Sequence, residues 1–337
     1  MGATTYRNRS AFAVENEHLE IIVTREGGHI AAIRDKATGV NPLWSTPWQT
    51  MEPSAYNREK HPEYGDNAES KLLSGILGHN LCLDLFGGPS AEEAAAGMTV
   101  HGEGSVVAYD VLVSGDTLHQ AATLPQPAGK RRAEITETVE NLSTWDRPVA
   151  WTQHVTLGPP FLEKGKTEFR ASATKSKVVE TDFTGGKGYM KTGAEFNWPM
   201  VPCEDGSQVD LRVFIDKPVS GAFSTHLMDP SSEEAYFSAW SPTSKLMIAY
   251  VWKRSDFPWL GIWEENYSRT TPPWNGRTLT RGMEFGASPF AESRRQMIDR
   301  GGLFGVPGYR WIPARSKVTV RYAAILKPAS SADEPAD

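Results

Sequence analysis

At 337 residues, with 39% hydrophobic and 23% charged side chains, the chain has the composition of a soluble globular protein long enough to bury a substantial core. A formal net charge of -6 leaves no basic surplus to neutralise phosphates, so nucleic acid is not an expected partner; the one basic run, Lys130-Arg131-Arg132, reads as a solvated turn before a strand. No apolar run approaches the roughly 20 residues that span a bilayer, and Met1 to Arg7 lacks the apolar segment of a secretory leader, so no membrane partner and a cytoplasmic location are expected.

The predicted elements begin with "HLEIIVT", where Leu19, Ile21 and Val23 alternate with their neighbours in the period of two that marks a half-buried strand. "REGGHI" follows as a turn, "AAIRDK" as a strand and "ATG" as a second turn before "NPLW". A short helix is predicted at 91–97, "AEEAAAG". The strand rhythm returns at 131–141, "RRAEITETVEN", and in "WTQHVTL" before a Gly-Pro-Pro break. It continues at 209–216, "VDLRVFID", at 245–253, "KLMIAYVWK", and at 316–326, "SKVTVRYAAIL", with a helical turn or two around 291–299. Many β-branched runs bounded by Gly, Pro, Asn, Asp or Ser, with hardly any helical period, predict a large all-β sandwich. No Pro/Ser-rich linker divides it. A single domain over 1–326 is expected, followed by an acidic, Pro-containing tail at 327–337 expected to be disordered.

Polar residues of catalytic type gather at loop-flanked places. "GHNLCLDLFGGPS" (78–90) carries His79, Asn80 and Asp84, and "VHGEGS" (100–105) carries His101 and Glu103. His154 precedes the Gly-Pro-Pro break, and Glu284 lies in "RGMEFGASPF" (281–290). By itself a histidine in a β protein is more often a structural or surface residue than a metal ligand or a proton donor. No H-E-x-x-H, Walker loop or G-x-S-x-G is present, and Cys82 and Cys203 form no zinc or redox motif. Eleven tryptophans suit sugar faces as well as cores; Trp259, Trp263 and Trp274, with Glu264 and Asn266, lie in two aromatic segments at 256–267 and 271–276.

In order and context these segments resemble the aldose 1-epimerases (galactose mutarotases) and their wider superfamily of sugar-binding proteins. The likeness starts with "VENEHLEIIVTREGGHIAAIRDKATGVNPLW" and continues at the "HG" of "VHGEGS", at "HVTLGPPF" and at "MEFGASPF", so it covers nearly the whole chain. It implies a large antiparallel β-supersandwich with few short helices, a monosaccharide or sugar-derivative ligand, and no cofactor or metal. On matching positions it implies His154 as general acid, Glu284 as general base and His101 as a sugar-binding residue. Typical members carry a substrate-binding arginine in a "GR.aNR"-like segment; here His79 and Asn80 stand there, and both are carried as substrate-binding residues together with Trp263. Asp210 and Asp216 are the candidates for the family's sugar-holding acid. The residue types suit the reaction, since a carboxylate accepts the anomeric hydroxyl proton and an imidazole delivers one to the ring oxygen.

Two other readings come from different classes. One is a non-catalytic carbohydrate-binding protein that keeps the fold and the cleft. The other is a metal site drawing on His79, His101, His154 and Glu284.

Overall fold

Alternation along the strands sorts side chains onto two faces, and the architecture follows from burying one of them. The computed structural model describes residues 2–109, 112–114, 117–120, 122–125 and 131–335. Among these, twelve strands form the larger sheet. Its order runs Gly2–Tyr6, Arg9–Glu15, Leu19–Thr24, Ile30–Asp35, His79–Asp84, Arg147–Leu157, Leu279–Gly286, Trp259–Asn266, Ser220–Met228, Ala173–Val178 and Glu195–Asn197. Arg310–Ile312 adds to the start of Arg147–Leu157. The smaller sheet has eight strands and is built around Glu234–Ser241, Leu246–Lys253, Lys317–Pro328 and Arg132–Glu140. Neighbouring strands pair antiparallel throughout. The helices described are short: Ser70–Leu73, Ala91–Ala95 and Arg294–Arg300. Ser90 and Ser293 cap the last two through reciprocal capping boxes. None is long and apolar enough to cross a membrane.

The two sheets share one apolar core. Trp151, Val155, Leu260, Ile262, Met283 and Phe285 enter it from the larger sheet, and Phe237, Ile248, Tyr250 and Tyr322 from the smaller. A polar cluster crosses the same core: Glu137 accepts from Trp151 Nε1 (3.0 Å), Gln153 Nε2 (2.7 Å) and Tyr322 OH (2.7 Å). Three donors on one buried carboxylate satisfy it in place.

The all-β expectation holds, with two local differences. Of 209–216 only Gln208–Asp210 is a strand; the Val213 amide donates to the Asp210 carbonyl, and the turn sends Leu211, Phe214 and Ile215 into the interior instead of along a ladder. At the C-terminus the last strand runs to Pro328, and Ala329 and Ala332 are buried. Trp240 Nε1 donates to the Ala329 carbonyl and Arg170 pairs with Asp333, so the segment expected to be disordered has packing partners through these residues; 336–337 lie outside the described residues. Of the basic run, Lys130 lies outside the described residues, Arg131 pairs with Asp35, and Arg132 opens a strand.

Candidate functional site

Strand parity decides which polar residues meet. In Arg147–Leu157 the odd positions Val149, Trp151, Val155 and Leu157 enter the inter-sheet core, which turns Thr152, His154 and Thr156 to the opposite face. His154 lies directly across from Glu284 on one side and from Asn80 on the other; Glu284 lies across from Gly261. Directly opposed residues of an antiparallel pair share a face. His154 and Glu284 are thereby brought together, with Nε2 and Oε1 3.0 Å apart. Oε1 nonetheless has no aligned hydrogen bond, so a lone pair stays open although the carboxylate is only 2% exposed.

Two glycines make the space. A Cβ on Gly282 would stand 2.3 Å from Glu284 Oε1, and one on Gly261 would stand 3.1 Å from Phe223 Cζ and 3.3 Å from Oε2. Thr156 Oγ1 sits 2.9 Å from His154 Nδ1 and fixes the ring from behind. His101 packs beside it, ring centroids 4.8 Å apart, and donates Nδ1–H to the Phe86 carbonyl (2.6 Å), which leaves Nε2 of the neutral ring as an acceptor. His101 adopts φ +65°, and Gly102 behind it φ +74°; a Cβ there would stand 2.0 Å from the Leu83 carbonyl oxygen, so this turn can press onto its strand only with glycine.

Burial pushes the Glu284 carboxyl well above its ordinary 4.5. Burial, reinforced by the neighbouring imidazoles, pushes His154 well below 6.5, and burial lowers His101 as well. Both shifts favour the uncharged forms of the two side chains.

Above the pair opens a cavity of about 420 Å³. On one side stand Trp263, Trp274 and Trp44, with the Trp263 ring 6.0 Å from that of His154 and the Trp44 and Trp274 rings stacked 6.1 Å apart. The 41–77 region backs this wall through Trp48, Tyr64, Leu72, Leu73 and Ile76. On the other side stand Phe86, Phe223 and Phe290. Charged lining comes from Glu69, Arg269, Glu180, Glu292 and Arg300.

No protein-family model matches the sequence, and no curated protein matches it. Solved structures do match. A candidate aldose 1-epimerase from Klebsiella pneumoniae superposes with a TM-score of 0.68 at 13% identity, over 96% of this chain and 80% of that one. A galactose mutarotase-like protein from Clostridium acetobutylicum gives 0.61 at 13%, over 97% and 98% of the two chains. Another from Lactobacillus casei gives 0.57 at 13%, over 94% and 100%. The fold is galactose mutarotase-like.

On this mutarotase-like frame the expected site residues separate. His154, Glu284, His101, Trp263 and Trp274 line the cavity. His79 does not. It lies on the core face, 3.0 Å from Gln153 Oε1 and 3.3 Å from the Tyr250 hydroxyl, where burial lowers its pKa to about 4. Asn80 faces the His154 side but is buried outside the cavity lining, with Nδ2 lacking a partner. Trp259 is buried and donates to the Pro307 carbonyl. Glu264 is bound to Arg281 and Tyr189, and Asn266 to the Lys217 carbonyl and Ser220, all away from the cavity. Asp84 is held by Arg147 and Arg294, while Glu103 is exposed. Asp210 pairs with Arg212, and neither it nor Asp216 reaches the lining. Sequence reading missed two arginines of the lining: Arg300, and Arg269, which lies 4.7 Å over Trp274 and 5.6 Å over Trp263. The position of Arg269 beside "PPWNG" in an aromatic-rich segment was the only available signal.

Proposed function

We propose that this protein is an aldose 1-epimerase-like isomerase that holds a monosaccharide in the cavity and interconverts its anomers with His154 as acid and Glu284 as base. One observation carries the reading: the two side chains oppose one another at 3.0 Å on adjacent strands, at the floor of a cavity walled by indoles. Tryptophan faces suit the C–H faces of a pyranose, and the free acceptor of His101 suits a sugar hydroxyl.

The anomeric hydroxyl gives its proton to Glu284 while the ring oxygen receives one from His154. The bond from the anomeric carbon to the ring oxygen breaks, leaving an open-chain aldehyde. Rotation about the adjoining carbon–carbon bond presents the other carbonyl face, and the reverse proton transfers close the ring. The opening step starts from the tautomer in which His154 is protonated and Glu284 ionised, and it ends in the one with Glu284 protonated and His154 neutral, which is the uncharged form that burial favours. Arg269 takes the hydroxyl-contacting part that an arginine near position 79 plays in typical epimerases, reaching the cavity from a different segment.

The test is anomer exchange by NMR or polarimetry on freshly dissolved α-anomers, measured against buffer. Glu284→Gln and His154→Asn should each slow exchange by roughly 10² or more while sugar binding persists. Full activity in either variant would sink the assignment.

A second reading, a non-catalytic carbohydrate-binding protein, is favoured by one observation. His79, at the place of the usual arginine, faces the core, so that stretch offers the sugar no cation. Tight sugar binding with no acceleration across hexoses, their 6-phosphates, a deoxysugar and a uronate would select it.

A further inference from the structure

The two nitrogens of the His154 ring meet different partners. Nε2 stands 3.0 Å from Glu284 Oε1, and Nδ1 stands 2.9 Å from the hydroxyl of Thr156, two residues further along the same strand and on the same face. Thr156 is buried and lines the cavity.

Its backbone is held from two directions. The Thr156 N–H donates to the Gly78 carbonyl (3.1 Å), and its carbonyl accepts from the Trp44 N–H (2.7 Å). Gly158 lets Trp44 close on the strand end, since a Cβ there would stand 3.1 Å from Trp44 Cα. Across the ladder from Thr156 is Gly282, which has no side chain to compete for the hydroxyl. A β-branched residue so anchored has little χ1 freedom, so the oxygen stays behind the ring.

The acid role sets a demand on that oxygen. His154 must give up the proton on Nε2 and keep one on Nδ1, because only a bare Nε2 can take a proton back when the ring closes. A neutral imidazole that keeps its proton on Nε2 has turned the wrong nitrogen to the cavity. An acceptor fixed at Nδ1 prevents this.

We propose that Thr156 is a positioning residue for the reaction: by accepting from Nδ1–H it holds His154 in the tautomer whose Nε2 is the nitrogen that exchanges protons. This rests on the isomerase reading and adds to it the residue that orients the acid. The device is that of an orienting partner behind a catalytic histidine, with a neutral hydroxyl where other enzymes place a carboxylate. A hydroxyl adds no charge to a pair whose uncharged forms burial favours.

The experiment uses Thr156→Val, which keeps shape and removes the acceptor, and Thr156→Ser, which keeps the acceptor. Long-range proton–nitrogen NMR on the ligand-free protein, with the His154 signals among the 8 histidines assigned by their loss in His154→Asn, reads the tautomer. Wild type and Thr156→Ser should show Nδ1–H, and Thr156→Val should shift toward Nε2–H. In anomer exchange Thr156→Val should lower kcat by roughly tenfold to 10², with KM within about twofold of wild type, and Thr156→Ser should restore most of the rate. A threonine that merely packs would leave the tautomer of Thr156→Val unchanged. Nε2–H in the wild type, an unchanged kcat in Thr156→Val, or a Thr156→Ser protein as slow as Thr156→Val each overturns the assignment while the isomerase reading survives on wild-type exchange. The wild-type tautomer decides even if Thr156→Val does not fold. If the wild type accelerates no exchange, the isomerase reading falls and the role of Thr156 in it falls too.

Discussion

Replacing Gly282 with alanine aims one methyl group at the Glu284 carboxylate. The new Cβ would stand 2.3 Å from Oε1, 3.1 Å from Cδ and 3.3 Å from Cγ, whereas ordinary contact begins near 3.4 Å. What must give way is the end of a flexible side chain, so the carboxylate swings off by about 1 Å and the backbone stays. A displacement of that size at a reacting group costs roughly 10² in rate, or about 2.7 kcal/mol of barrier. Gly282 has no positive φ, so alanine fits its backbone, and stability should stay within about 1 kcal/mol of wild type. Anomer exchange and a thermal melt on the same sample separate the two effects. A folded Gly282→Ala protein with full activity would refute Glu284 as the base. Gly286→Ala is the contrast, because its Cβ would meet Thr152 Oγ1 at 2.2 Å and Cα at 2.9 Å; there the backbone must move, and stability should fall by about 1–3 kcal/mol.

The pH dependence of the rate should depart from that of an unperturbed Glu/His pair. Burial raises Glu284 and lowers His154, so the two limbs should not fall at the ordinary 4.5 and 6.5, and a kcat/KM profile with its limbs at those two values would contradict the burial of the pair. Arg281→Met should destabilise the protein by about 3–5 kcal/mol in denaturant titration, since Arg281 and Glu264 are both fully buried and Glu264 would lose its cation; a loss under about 1 kcal/mol would show that Tyr189 suffices. Chelator treatment should leave sugar binding and exchange intact, because among the described residues no three His, Cys, Asp or Glu side chains converge on an ion; activity lost to EDTA and restored by a metal would revive the metal reading.

Strands were the most legible part of the sequence. "LEIIVT", "KLMIAYVWK" and "VTVRYAAIL" announce themselves by period and β-branching, and they form Leu19–Thr24, Leu246–Lys253 and most of Lys317–Pro328. Which face each residue takes was not legible. His79 and Asn80 are neighbours in sequence, yet one enters the core and the other faces the His154 side, because a single step along a strand reverses the side chain. "VDLRVFID" alternates like a strand and mostly is not one, since its partners are set by a turn that alternation does not encode. Arg269 and Glu69 meet from 200 positions apart, which no local pattern records. Gly261 and Gly282 were a usable signal: glycine inside a strand marks close approach, here of the Glu284 carboxylate.

Because His154 and Glu284 sit opposite one another in the ladder between two interior strands, their spacing is set by main-chain hydrogen bonds and not by any loop. Much of the cavity wall comes from outside those two strands: Trp44 and Glu69 from the 41–77 region, Glu180 and Phe183 from a loop, Arg269 and Trp274 from another, Arg300 from a helix end. The opposed pair and most of the wall above it are thus supplied by separable parts of the chain. If the isomerase proposal holds, rewriting the loops should change which ligand is preferred and leave the His154–Glu284 spacing in place, so that selectivity could be exchanged independently of turnover.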